Sequence, residues 1–178
     1  RTSSGAGFPG MPGRGPRGGR WNLSLYHTIE LQNEALIAPG GPLLDMLHGD
    51  AVSSGGVSRH KFELEGGLFA KGVGLRMSGN YASATNVTGS GVPGSSDLHF
   101  GDLATFDMRL FFNLGDMKFL AGDNPGFLKN LRMSIRANNI FDARQKVTDN
   151  TGTVPLGYQP YLIDPVGRFV EIELRKIF

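Results

Sequence analysis

The sequence predicts an all-β fold, an antiparallel transmembrane β-barrel segment, on three observations. Apolar and polar residues alternate through six runs of about ten residues, each closed by Gly, Pro, Asn, Asp or Ser. The links between the runs are alternately short and long, whereas connections in compact soluble sheets are mostly short. No run carries a helical period, and no stretch approaches the roughly 20 consecutive apolar residues of a spanning helix.

The 178 residues suffice for one ordinary domain. Gly (27) and Pro (10) are abundant, charged residues make up only 19%, and Cys is absent, which removes disulfide scaffolds, thiolate zinc sites and cysteine nucleophiles. The net charge is +2, but Arg1, Arg14, Arg17 and Arg20 sit in a segment without an acid, leaving 14 basic against 16 acidic side chains from Trp21 onward. Overall basicity is therefore no argument for nucleic acid. Residues 1–20, RTSSGAGFPGMPGRGPRGGR, offer little apolar area to offset ordering and are expected to form a flexible segment. Their Arg-Gly stretch is short, with one aromatic nearby, so a linker is expected and no nucleic-acid partner. The strands occupy residues 21–178.

Run one puts Trp21, Leu23, Leu25, Ile29 and Leu31 on one face and Asn22, Ser24, Tyr26, Thr28, Glu30 and Gln32 on the other, with His27 alone spoiling the apolar side. Run two sets Phe62, Leu64, Gly66 and Leu68 against Lys61, Glu63 and Glu65. After Lys71-Gly72, run three sets Leu75, Met77 and Tyr81 against Arg76, Ser78 and Asn80, so the two read as a tight hairpin. Run four sets Ala104, Phe106, Met108, Leu110, Phe112 and Leu114 against Thr105, Asp107, Arg109 and Asn113, with Phe111 as the exception. Run five sets Leu131, Met133, Ile135 and Ala137 against Arg132, Ser134, Arg136 and Asn138. Run six sets Val170, Ile172, Leu174 and Phe178 against Glu171, Glu173 and Arg175, with Lys176 on the apolar side.

Long links fall at about 38–58, 84–101 and 142–168, and shorter ones at 70–74 and 115–130. That asymmetry belongs to outer-membrane barrels. On the polar face, Asp107 and Arg109, Arg132 and Arg136, and Glu171, Glu173 and Arg175 stand near one another at mid-strand. A watery or plugged lumen tolerates such luminal charges, while the opposite face of Leu, Ile, Val, Phe and Met suits lipid. A soluble sandwich also alternates and is the other reading of the pattern.

No nucleophile elbow and no Gly-rich turn leading into a helix is present, so no catalytic residue and no cofactor is expected. Strand parity sets His60 and His99 near one rim, within reach of each other, but four scattered His do not make a metal site. His27 falls near mid-bilayer, where a polar group facing lipid is costly, so a bulge or a one-residue register shift is expected there. Glu171 and Glu173 find ordinary partners in Arg175, Arg132 and Arg136, and Asp45, Asp50, Asp142 and Asp149 read as solvated loop acids. Trp21 and Tyr81 are candidates for interfacial aromatic girdles, with Phe100 joining Tyr81.

The ending is more specific. The elements Asn139-Ile140-Phe141-Asp142, Pro155-Leu156-Gly157-Tyr158-Gln159-Pro160 and Asp164-Pro165-Val166-Gly167-Arg168 precede an alternating strand that ends on Phe178. In kind and order they resemble the C-terminal end of TonB-dependent outer-membrane receptors, where an N-[IL]-F-D element closes the penultimate strand and a P-x-G-R element opens the last. The resemblance covers Trp21 to Phe178 and is specific from Leu131 onward. The stretches Ser24-Leu25-Tyr26-His27-Thr28 and Pro42-Leu43-Leu44-Asp45-Met46-Leu47 are similar to a sub-branch with large barrels.

The resemblance implies a barrel of about 22 strands with an N-terminal plug domain, importing a scarce large solute with energy from the inner-membrane TonB complex. This chain is then expected to be the last six strands, integral to the bacterial outer membrane. Its implied partners are the remaining strands and plug domain of the same transporter, the TonB complex, the barrel-assembly machinery that reads Phe178, outer-membrane lipid and lipopolysaccharide, with a surface lipoprotein as a further candidate. The periplasmic C-terminus of such barrels puts the three long loops outside and the 70–74 and 115–130 turns in the periplasm. A smaller porin-like barrel and a soluble β-sandwich binding module are the alternatives.

Overall fold

The computed structural model describes residues 19–52, 55–124 and 126–177. Its strands are β1 (Arg20–Ile29), β2 (Glu34–Leu36), β3 (Leu43–Asp45), β4 (His60–Ala70), β5 (Val73–Ala82), β6 (Thr85–Val87), β7 (Leu98–Phe100), β8 (Leu103–Asn113), β9 (Leu131–Asn138), β10 (Val147–Asp149) and β11 (Phe169–Lys176). Two single helical turns, α1 (Lys118–Ala121) and α2 (Pro160–Ile163), lie in the connections. The fold is all-β and antiparallel. The long strands form one six-stranded sheet in the order β1-β4-β5-β8-β9-β11, while β10-β7-β6 and β2-β3 form small sheets.

The six long strands coincide with the six alternating runs, because a period of two places every apolar side chain on one face once the strands pair in register. Trp21, Leu68, Leu75, Leu110, Ile135 and Ile172 stand opposite one another in an unbroken apolar row across all six strands. Leu23, Gly66, Met77, Met108, Ala137 and Val170 make the adjoining row on that face. The opposite face carries Asn22, Gly67, Arg76, Arg109, Arg136 and Glu171.

Lys71 (φ 48°) and Gly72 (φ 82°) join β4 to β5. Two successive left-handed residues form the hairpin turn whose twist matches that of the strands it joins. Gly74 and Gly79 make room for aromatic rings on the neighbouring strand: a Cβ would stand 2.5 Å from Phe111 Cδ2 at Gly74 and 2.8 Å from Phe106 Cε1 at Gly79.

The sheet buries almost nothing by itself. The buried apolar side chains among the described residues, Met46, Phe100, Met117 and Val147, all lie in connections or small strands. On the apolar face Trp21 is 77% exposed and Ile172 66%. Among the described residues, β1 and β11 are edges with one neighbour each.

Four expectations are corrected. Arg20, assigned to the flexible segment, already belongs to β1, and residues 1–18 lie outside the described residues. The long links contain four short strands, β3, β6, β7 and β10, and β2 precedes the first link; these five form by pairing with one another. His27 needs neither bulge nor register shift: β1 pairs without a break, and His27 stands opposite Phe62, two residues from the strand's end rather than at its middle. Phe100 is buried in β7 with its ring edge-on to Tyr158 at 5.6 Å, so it does not extend a girdle from Tyr81.

Candidate functional site

Two places gather the residues that carry chemistry. The first is the polar face of the long sheet. Arg109 on β8 donates to Glu173 Oε2 on β11 at 3.1 Å and to Ser134 Oγ on β9 at 3.2 Å, spanning three strands. Arg136 Nη1 and Glu171 Oε2 lie 3.5 Å apart on adjacent strands. The expected luminal charges therefore do share one face, but with a change of partner: Glu173 reaches past β9 to Arg109, because the residues beside it in register are Ser134 and, one row on, Arg132 opposite Arg175. Asp107 is drawn away from the arginines and accepts the Asn139 backbone N–H at 2.8 Å.

Phe111, the exception in its run, lies on this face. Arg109 and Arg76 place their guanidinium carbons 5.5 and 6.0 Å from its ring centroid, so an apolar ring is accommodated among polar groups by cation-π contact.

The second place is a knot at the loop end of β9 and β11. Asn139, in the left-handed region (φ 47°), bonds Ala143 twice, its Nδ2 donating to the carbonyl at 2.8 Å and its Oδ1 accepting the N–H at 2.9 Å. Asp142, also left-handed (φ 55°), accepts the Arg168 backbone N–H at 2.9 Å and Arg144 Nη1 at 2.6 Å. The Arg168 N–H and the Arg144 guanidinium hold the Asp142 carboxyl below its ordinary value, and Asp142 in turn raises Arg144. Asp164 accepts the Gly167 N–H at 3.0 Å through its carboxylate and Arg144 Nε at 3.2 Å through its carbonyl.

Gly167 (φ 59°) leaves no space for a side chain, which would run into Arg144 and Asp142. Arg168 reaches back to the Ile140 carbonyl at 3.4 Å, and Phe141 packs edge-on against Phe106 at 5.5 Å. Pro160 opens α2, where its missing N–H costs nothing, and Pro165 lies in the exposed bend before Gly167. Thus Asn139, Phe141, Asp142, Asp164, Gly167 and Arg168 converge, and Phe178 lies outside the described residues. Arg144, which also stacks over Tyr161 at 4.5 Å, is the member sequence reasoning missed. A loop arginine carries no periodic signal.

The three long connections also roof a cleft of about 660 Å³ at this end, lined by uncharged groups including Ser58, Ser83, Gln145, Phe100 and Tyr158. The four histidines do not converge on one point. His60 contacts His27 at 3.2 Å and not His99, which bonds Asn86 at 2.7 Å, because the short strands hold His99 in a separate sheet. His48 pairs with Asp45 at 2.6 Å, and Asp50 accepts the Asp45 N–H at 2.7 Å. Asp149 closes its own turn with Thr151 and Thr153. No group of three or more metal-ligating side chains occurs among the described residues.

The arrangement can hold strands in register and present charge and a cleft to a ligand. Comparison of the chain with family models, curated proteins and solved structures finds no match.

Proposed function

We propose that this chain is the C-terminal wall segment of a TonB-dependent outer-membrane transporter, a barrel of about 22 strands that imports a scarce large solute with energy from the inner-membrane TonB complex. The observation that carries the reading is the continuous apolar face running through six strands, over which the described residues lay no second layer. A soluble sheet of this size buries one face against a second layer; lipid serves the same purpose in a membrane wall. The open edges of β1 and β11 support it, since a single layer of strands is stable only when its edges are paired or closed.

In this role the polar face turns to the lumen and toward the plug domain. The cleft-bearing loops face outside and contribute to solute capture, and the knot fixes the entry of the last strand. The remaining strands and the plug come from the rest of the transporter.

An antibody against residues 142–168 tests the reading. It should label intact native cells and detect, in denatured outer-membrane fractions, a band several times heavier than the 19.1 kDa of this chain. A surface-exposed band at 19.1 kDa would favour a smaller porin-like barrel. Recovery in the soluble fraction alone would overturn the membrane reading.

A further inference from the structure

We infer that the turn end of the polar face, around Phe69 and Phe111, is a docking site for an acidic peptide segment carrying an apolar side chain. The inference rests on the wall reading above and names what this part of the polar face holds. Phe69 and Phe111 stand in one row of that face on either side of Gly74. A Cβ at Gly74 would lie 3.0 Å from Phe69 Cδ2 and 2.5 Å from Phe111 Cδ2, so the missing side chain lets both rings close over the backbone as a platform. Phe69 remains 48% exposed on a face that is otherwise mostly polar.

Concavities of about 440 and 410 Å³ flank the platform, and arginines surround it: Arg20 and Arg76 in the first, Arg109, Arg132 and Arg175 in the second. Only Glu65 and Glu173 oppose them there, and Glu173 is already paired with Arg109. Arg76 stands directly opposite Arg109, and Arg132 directly opposite Arg175. Like charges in register repel, and Arg76, Arg132 and Arg175 have no ion pair among the described residues. Arg109 Nε is sealed from solvent without an acceptor among the described residues.

Carboxylates meet the guanidiniums with paired hydrogen bonds, and an apolar side chain covers the rings. The occupant does not come from residues 1–18, which hold arginines and no acid. A second copy of this face would bring arginine to arginine. A separate segment rich in Asp and Glu satisfies both the rings and the charge.

Photo-crosslinking in native cells tests this, with p-benzoylphenylalanine placed at Phe111 and separately at Phe69, so that the exposed second position still reports if the first disturbs packing. The expected adduct at either position is a peptide in which Asp and Glu outnumber Lys and Arg around the crosslinked residue. The double variant Arg132→Glu, Arg175→Glu should lower its yield at least tenfold, as loss of two charge-assisted contacts implies. A basic peptide, a lipid or nucleic-acid adduct, or no adduct at both positions overturns the inference. The same probe at Leu110, on the apolar face, reports on the wall separately: lipid adducts there uphold it even if the docking site fails, and protein adducts there overturn it.

Discussion

The Asp142 carboxylate accepts the Arg168 backbone N–H at 2.9 Å although 26 residues separate them. That bond joins the end of the β9 turn to the first step of β11, and Arg144 braces it from the side. Asp142→Ala should lower the unfolding midpoint, because the Arg168 N–H loses its acceptor and alanine tolerates the left-handed backbone poorly. Thermal unfolding of wild type and variant side by side gives the comparison.

The same carboxylate sets a pH dependence. Its folded-state pKa lies below the ordinary 3.8, so its contribution is complete above that value and is lost as pH falls through the lowered one. Asp142→Asn keeps the shape and removes the titration. Unfolding midpoints of the two proteins should differ at neutral pH and converge on acidification past 3.8; a constant gap would contradict the assignment.

Leu110 and Ile135 face each other in the middle of the apolar row. Leu110→Arg or Ile135→Arg should each cost about 2 to 4 kcal/mol in a lipid-facing wall, seen as loss of assembled protein from the outer membrane. Arg136→Leu, one residue away on the opposite face, should do much less. Equal damage from Arg136→Leu and Ile135→Arg would reverse the facing.

At Gly79 a methyl group would press on the Phe106 ring at 2.8 Å. Gly79→Ala should destabilise by about 1 to 3 kcal/mol, and adding Phe106→Leu should recover part of that loss. A double-mutant cycle by urea unfolding in detergent measures the coupling; simple additivity would mean that the ring does not occupy that space.

Lys176 sits on the apolar side of β11 and bends to the connection between β8 and β9. Its ammonium donates to the Lys129 carbonyl at 2.8 Å and to the Phe127 carbonyl, and lies 4.6 Å from the Phe127 ring centroid. Lys176→Met should therefore speed amide exchange across residues 126–130 while leaving β4 and β5 unchanged, as hydrogen-exchange mass spectrometry would record.

The long strands were readable because a one-sided environment writes a strict period of two into each, and even Phe111 and His27, which broke the pattern, keep register. The short strands β2, β3, β6, β7 and β10 were not readable, since three residues carry no period and these strands exist only through their partners. At the knot, the motif residues announced themselves, but Arg144 did not: its role comes from the fold bringing Asp142, Asp164 and Tyr161 around it. Parity sets His60 and His99 near one rim, yet His60 meets His27 and His99 meets Asn86, because parity places residues on a face without saying which sheet the face belongs to.

Each long strand lies beside the long strand before it in sequence, so the sheet has no crossover. Such a meander can assemble by successive hairpin addition, with closures of modest length and no strand that must wait for a distant one to arrive. The β4–β5 hairpin, with its two-residue turn, is the natural first step. Growth leaves a live edge at each stage, and in the proposed wall it ends when β1 and β11 both find neighbours, which would make the last pairing, rather than any internal one, the step at which a cell must guard against aggregation.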